Sequence, residues 1–131
     1  MHALLPKADH VALCCALTPE TRHLIGEKEL RLMRRTAYLH NVTRGGVVDQ
    51  DALVRELQAG TIAGAGLDVT EPEPLPDSSP LWKLENVIIT PHSAGDADGS
   101  RRRVRLLVRE NVRRFVAGEP LLNVVDKRLG Y

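Results

Sequence analysis

Three side chains suited to carbonyl chemistry each stand just beyond a short apolar run of the chain: Arg44, Glu73 and His92. The planar fork of an arginine binds a carboxylate and polarises a neighbouring carbonyl oxygen. An imidazole gives a proton to that oxygen near neutral pH, and a carboxylate on its other ring nitrogen fixes the ring. The set suits the reduction of a carbonyl group or the reverse reaction. The hydride would come from a nicotinamide, because no side chain supplies one.

Four apolar runs must position these side chains. They are typical of strands buried on both faces of a parallel sheet, and they span residues 10–17, 37–42, 62–69 and 86–90. Helical patterns lie at 27–35, from Asp49 or Asp51 to Ala59 with Gly60 as its stop, in a short turn at 80–84, and at 99–117. Asp96 or Asp98 is expected to begin or cap the last helix, which Gly118 ends. Alternating strands and helices predict an α/β fold: a partial doubly wound, Rossmann-like parallel sheet of about four strands with flanking helices.

The carboxyl ends of parallel strands share one rim, where open α/β sheets bind their ligands. We therefore expect Arg44, Glu73 and His92 to converge there. Each alone is more typical of a structural role, as an ion-paired arginine, a loop carboxylate or an exposed histidine, so the prediction depends on their convergence. Gly64-Ala-Gly66 is not interpreted as a dinucleotide-binding turn, because it lies inside a predicted strand rather than after one.

Composition argues against several classes of protein: membrane-spanning, disulfide-rich, metal-binding and nucleic-acid-binding. The 131 residues carry a net charge of +1 and suit one domain, and no uncharged stretch approaches the ~20 residues of a membrane span. The adjacent Cys14 and Cys15 suit neither a disulfide framework nor a metal site, which favours a reduced, cytoplasmic protein. The arginines concentrated in 101–114 predict a solvated or subunit-facing helix face rather than a nucleic-acid site, since four aromatic residues give no stacking platform.

Six motifs occur in an order that resembles one family. They are Leu17-Thr-Pro-Glu-Thr-Arg22, Asn41-Val-Thr-Arg-Gly-Gly-Val-Val-Asp49, Gly64-Ala-Gly-Leu-Asp-Val69, Glu73-Pro-Leu-Pro76, Thr90-Pro-His-Ser-Ala-Gly95 and Gly118-Glu-Pro-Leu-Leu-Asn-Val-Val125. Together they resemble the NAD(P)-dependent D-2-hydroxyacid dehydrogenases, in the neighbourhood of the glyoxylate/hydroxypyruvate reductases and phosphoglycerate dehydrogenases. The resemblance covers nearly the whole chain. Ala16 departs from the family pattern, which has proline there, and His40 stands where an apolar residue is usual.

The resemblance implies roles for individual residues. Arg44, Glu73 and His92 would form the catalytic trio that reduces a 2-keto acid to a D-2-hydroxy acid, with NAD or NADP as cofactor and no metal. The residues implied to contact the cofactor are Cys15, Ala16, Thr21, Val42, Thr43, Asp68, Ala94 and Gly95.

The family's members are longer, so the chain is expected to correspond to their C-terminal portion. Residues 1–117 would be the C-terminal half of the nucleotide-binding domain, and 118–131 a tail that returns to the substrate domain. Because no glycine-rich turn precedes the first strand, we expect a truncated form with little or no activity alone and doubtful cofactor binding. The alternative is a non-catalytic homologue acting as an interaction module, which forms a homodimer through its exposed first strand or pairs with a full-length relative.

Overall fold

The computed structural model describes residues 1–129 as four strands and three α-helices, joined by loops and short 3₁₀ turns. In chain order the elements are β1 (His10–Leu13), α1 (Glu27–Leu32), β2 (Tyr38–Asn41), α2 (Gln50–Gln58), β3 (Gly64–Leu67), β4 (Val87–Ile89) and α3 (Ser100–Ala117), with 3₁₀ turns at Leu5–Lys7, Gly45–Val47 and Pro80–Lys83. Gly130 and Tyr131, which end the predicted tail, lie outside the described residues.

The strands form one parallel sheet in the order β1-β2-β3-β4. His10 pairs with Tyr38, and Gly66 lies between His40 and Ile88 in register. The predicted α/β class is confirmed. All four strands lie within the predicted runs but are shorter, with β1 ending at Leu13 rather than Leu17.

Local signals account for most helix ends. The Asp49 carboxylate accepts from the Ala52 N–H at 3.0 Å and caps α2, while Gly60 follows its end with φ 65°. Gly118, at φ 67°, ends α3 as predicted. The predicted start of α3 near residue 99 is confirmed, but the expectation that Asp96 or Asp98 begins or caps it was wrong: Gly99 occupies the cap position at φ 79°, with no side-chain cap.

The core lies on one side of the sheet. Leu39, Ala65 and Leu67 are buried there together with Leu30 of α1 and Leu53 of α2. Right-handed crossovers place both helices on the same face. The prediction of strands buried on both faces was therefore wrong for β1 and β2, whose alternate residues are exposed or half-buried. Alternate residues along β1 and β2 are exposed or half-buried on the other side, which we call the open face; it carries His10, Ala12, Cys14, Tyr38 and His40.

The described chain divides into two compact units, Met1–His92 and the residues from Ser93 onward. In the second unit the segment after α3 turns back along the helix, since the Asn111 side chain bonds both backbone groups of Leu122 at 2.8 and 3.0 Å. The predicted apolar stripe of α3 is exposed: Val104, Val108, Val112 and Phe115. Across residues 1–129, no helix has the length and apolarity to cross a membrane.

Candidate active site

His92 and Glu73 form the centre of the candidate site. His92 Nδ1 lies 2.7 Å from Glu73 Oε1, and both side chains are between two-fifths and one-half exposed. The backbone orients the histidine: His92 has a left-handed φ of 54°, and its N–H donates to the Thr90 carbonyl at 3.0 Å. Nδ1 is thus engaged by the carboxylate, which leaves Nε2 as the nitrogen able to exchange a proton with a ligand.

Asp68 lies at the end of β3 beside this pair. Its carboxylate is buried and accepts a short hydrogen bond from the Thr90 hydroxyl, so the ends of β3 and β4 are tied together. A cavity of about 330 Å³ opens next to it and is lined by Asp68, Thr70, Glu73, Pro74, Leu75, Trp82, Ile89, Thr90, Pro91 and His92. Apolar walls with a few convergent polar groups are typical of small-molecule sites.

Arg44 follows β2 in a loop that Asn41 organises. The buried Asn41 side chain donates to the Arg44 carbonyl at 2.9 Å and accepts from the N–H and hydroxyl of Thr43 at 3.2 and 3.0 Å. The exposed Arg44 guanidinium donates to the Thr43 carbonyl at 2.7 Å. Among the described residues it is therefore paired with backbone, and not with Glu73 or His92.

Gly45 brings the Arg44 loop against the loop that leads to Glu73. A β-carbon added at Gly45 would lie 2.0 Å from the Thr70 carbonyl oxygen. This close backbone approach forms a seam between the two loops, which only glycine permits. Gly45 was not predicted as a site residue, although the glycine pair after β2 was a signal in the sequence.

Glu71 was also missed. Its carboxylate bonds Arg22 at 3.0 Å and lies 3.5 Å from His23 Nε2, and its N–H donates to the Gln50 side chain at 3.0 Å. Glu71 thereby joins the loop after β1, the start of α2 and the loop that carries Glu73. Its partners are far apart in sequence, so spacing offered no signal for them.

The residues implied to contact a cofactor are only partly brought together. Thr21 donates from Oγ1 to the Ala16 carbonyl at 2.7 Å and closes the loop after β1, while Cys15 packs against the core. Val42 is exposed at the end of β2. The other implied residues are Thr43 and Asp68, placed above, and Ala94 and Gly95, which belong to the second unit.

Three groups thus follow three neighbouring strands at their carboxyl ends. They are the guanidinium of Arg44 after β2, the buried carboxylate of Asp68 after β3 and the imidazole of His92 after β4. In open α/β sheets this rim is where dinucleotides and their substrates bind. Within residues 1–129, no three histidine, cysteine, aspartate or glutamate side chains are grouped to hold a metal ion.

Comparison with known proteins gives a consistent family. Residues 1–94 match the family described as "D-isomer specific 2-hydroxyacid dehydrogenase, NAD binding domain". A glyoxylate reductase of Korarchaeum cryptofilum is 49% identical over 129 residues, which are 98% of this chain and 39% of that protein. The chain thus spans about two-fifths of the length of these curated relatives.

Solved structures that resemble this chain indicate the same family. A D-isomer specific 2-hydroxyacid dehydrogenase from Xanthobacter autotrophicus Py2, in complex with NADPH and MES, aligns with a TM-score of 0.89 at 47% identity over 99% of this chain and 53% of that one. An NADPH-dependent glyoxylate/hydroxypyruvate reductase from Sinorhizobium meliloti, in complex with NADP and sulfate, aligns with a TM-score of 0.88 at 34% identity over 99% of this chain and 42% of that one. The chain therefore belongs to the D-isomer specific 2-hydroxyacid dehydrogenase family, whose NAD-binding domain its residues 1–94 match.

Proposed function

We propose that this chain carries the catalytic side chains of an NAD(P)-dependent reductase of 2-keto acids, which yields D-2-hydroxy acids. The observation that supports this best is the 2.7 Å contact between His92 Nδ1 and Glu73 Oε1 at the carboxyl end of the sheet. A carboxylate at that nitrogen fixes the ring orientation and directs the other nitrogen outward.

Each side chain of the site has a separate role in the proposed reaction. His92 Nε2 gives a proton to the carbonyl oxygen as that oxygen becomes an alcohol, and Glu73 holds the ring in place. Arg44 turns from the Thr43 carbonyl to bind the substrate carboxylate and polarise the carbonyl group. The buried Asp68, held by Thr90, would lie near the nicotinamide end of a bound cofactor. A bound nicotinamide supplies the hydride.

The relatives support a proposal for the substrate. Several curated relatives are glyoxylate reductases, and the Sinorhizobium meliloti protein is a glyoxylate/hydroxypyruvate reductase. We propose glyoxylate or hydroxypyruvate as the substrate. A small 2-keto acid of this kind needs one cation for its carboxylate and one proton donor for its carbonyl, and Arg44 and His92 provide these.

The 131 residues alone are proposed to turn over slowly or not at all, because holding cofactor and substrate in place provides much of an enzyme's rate. We also propose a reducing, cytoplasmic location, supported by the free Cys14 and Cys15, and self-association, supported by the position of β1 at the edge of the sheet. The alternative remains an interaction module without catalysis, which predicts a dimer that binds no NADH.

A chimera tests the catalytic assignment. This chain would replace the matching two-fifths of the Korarchaeum cryptofilum glyoxylate reductase. We expect NAD(P)H-dependent glyoxylate reduction, with His92→Ala lowering kcat about 10²-fold or more. Glu73→Gln should lower kcat less, and Arg44→Lys should mainly raise KM. A His92→Ala chimera as active as its parent contradicts the assignment, and rapid NADH oxidation by the 131-residue chain alone contradicts the low activity proposed for it.

A further inference from the structure

The segment that carries Glu73 is poor in backbone donors. Residues 71–76 read Glu-Pro-Glu-Pro-Leu-Pro, and the three prolines have no N–H to donate. The segment therefore depends on donors from other parts of the chain to hold its carbonyl groups. Since Glu73 lies in the middle, the contacts that hold the two ends of the segment also set the position of its carboxylate.

The first end of the segment is held by contacts that precede the central carboxylate. Glu71 is bound by Arg22 and by the side chain of Gln50. The Thr70 hydroxyl donates to the Pro72 carbonyl at 3.0 Å. The far end of the segment needs a separate set of donors.

That far end is held at the Pro76 carbonyl. This oxygen accepts the Ser79 N–H at 2.9 Å and the Trp82 indole N–H at 3.0 Å, so both of its lone pairs are used. Trp82 belongs to the 3₁₀ turn Pro80–Lys83. Its indole therefore ties the end of the Glu73 segment to that turn.

The 3₁₀ turn is a firm base for this tie. Leu81 is 1% exposed and belongs to the core, and the Ser79 hydroxyl accepts its N–H at the start of the turn. Trp82, the next residue, is 53% exposed, and its ring lines the same cavity as Glu73 and His92. The side chain thus reaches from a buried anchor to the edge of the candidate site.

We propose that Trp82 is a positioning residue for Glu73. Its indole N–H holds the Pro76 end of the segment, which keeps the Glu73 carboxylate on His92 Nδ1. Because a carboxylate only accepts hydrogen bonds, a neutral His92 bonded to it carries its proton on Nδ1 and leaves Nε2 bare. The importance of this role for catalysis rests on the proposed function, whereas the position of the proton is measured without turnover.

Nuclear magnetic resonance of the 131-residue chain tests the proposal. Two-bond ¹H–¹⁵N correlations at about pH 9, where an ordinary imidazole is neutral, give the ratio of the Nδ1–H form of His92 to the Nε2–H form. Trp82→Phe keeps an aromatic wall but removes the indole N–H. We expect it to lower the ratio about threefold or more, as the loss of one hydrogen bond would.

Asn86→Ala is the matched control. It removes a side-chain N–H that donates to the Ala63 carbonyl at 3.3 Å, at the opposite end of β4 from His92, and it should leave the ratio unchanged. An unchanged ratio in Trp82→Phe overturns the proposal, and so does an equal fall in Asn86→Ala.

A double-mutant cycle shows whether the indole acts through the carboxylate. Glu73→Ala should lower the ratio further than Trp82→Phe does. Trp82→Phe added to Glu73→Ala should then change nothing more, because the group that the indole positions is gone. An additional fall in the double variant contradicts the proposal.

A second measurement needs no variant. Trp82 is the only tryptophan of the chain, so its indole N–H gives a single signal. Its exchange with solvent should be about fivefold or more slower than that of a free indole. Equal rates would overturn the proposal even if Trp82→Phe failed to fold.

The chimera separates this inference from the proposed function. There, Trp82→Phe should lower kcat about threefold or more with little change in KM, because the indole does not bind the substrate. A chimera without activity would refute the proposed function, while the His92 ratios of the 131-residue chain would still decide the role of Trp82.

Discussion

Gly45 is buried where two loops of the candidate site touch, and its importance is steric. Its added β-carbon would lie 2.0 Å from the Thr70 oxygen and 2.7 Å from the Glu71 nitrogen, both backbone atoms that cannot rotate away. The position of Arg44, one residue earlier, depends on this contact.

Gly45→Ala should therefore destabilise the fold by about 3 kcal/mol or more, because overpacking at backbone forces the loops apart. Chemical denaturation measures the change. Gly95→Ala is the matched control, since a β-carbon there meets nothing within 4 Å. Equal stability of the two variants would show that the seam is looser than described.

Glu56 is the other residue whose environment gives a sharp prediction. Its carboxylate is buried on α2 and accepts from the Thr61 hydroxyl at 2.6 Å and from Arg31 Nε at 3.0 Å. The Thr61 hydrogen bond, assisted by Arg31, lowers the pKa of Glu56.

Glu56→Ala should cost about 1–3 kcal/mol, because it removes a buried acceptor and leaves the half-buried Thr61 hydroxyl without its partner. Thermal or urea unfolding measures this. Glu27→Ala provides the comparison, since Glu27 pairs with Arg31 at the surface and should cost below about 1 kcal/mol. A smaller loss for Glu56→Ala than for Glu27→Ala would refute the argument.

At the scale of elements, α3 ends in a charged network. Hydrogen bonds from Arg113, and secondarily Arg114, hold the pKa of Glu110 at about 2. Arg113 also binds Glu119 in the segment that follows the helix, at 2.6 Å. The network links the last turns of α3 to the returning segment.

The sign of the pH dependence follows from the lowered pKa. The charged carboxylate is favoured in the folded state, so its contribution is complete above the ordinary pKa of 4.5 and is lost as pH falls toward about 2. We expect the Glu110 carboxyl to titrate near pH 2 by nuclear magnetic resonance, and Arg113→Gln to move that titration upward. No movement in Arg113→Gln would exclude Arg113 as the main cause.

Strands and helix caps were more predictable from the sequence than contacts between distant side chains. The four strands and the Asp49 cap follow from local patterns, because apolar runs and capping residues act over a few positions. Strand ends were overestimated, since apolar loop residues such as Leu17 also pack against the core. The Arg22–Glu71 pair joins residues 49 positions apart, which only the folded register brings together.

In the candidate site, too, the positions of residues along the chain were more predictable than their contacts. Sequence placed His92 and Glu73 at one rim, and they are in contact in the structure. It gave no partner for His40, because a cross-strand neighbour depends on register. That register places His10 there.

At the scale of the whole molecule, exposed apolar surface is the main feature. Phe115 is 76% exposed and lies on one stripe of α3 with Val104, Val108 and Val112. Exposed stripes of this kind are typical of interfaces.

We expect the chain to self-associate with rising concentration, and Phe115→Glu to shift the equilibrium toward monomer in sedimentation velocity. Leu106→Glu is the matched control, because Leu106 is 54% exposed and lies two positions from both Val104 and Val108, on the opposite side of the helix from the stripe. Association that is unchanged in Phe115→Glu would point instead to the β1 edge.

The contact of Gly45 with Thr70 has a consequence for redesign. A loop that has no room for one methyl group cannot be altered independently of the loop it touches. Efforts to change substrate preference by lengthening or diversifying the segment around Arg44 would have to vary the segment from Thr70 to Glu73 in the same library, since single-loop libraries would mostly sample misfolded proteins.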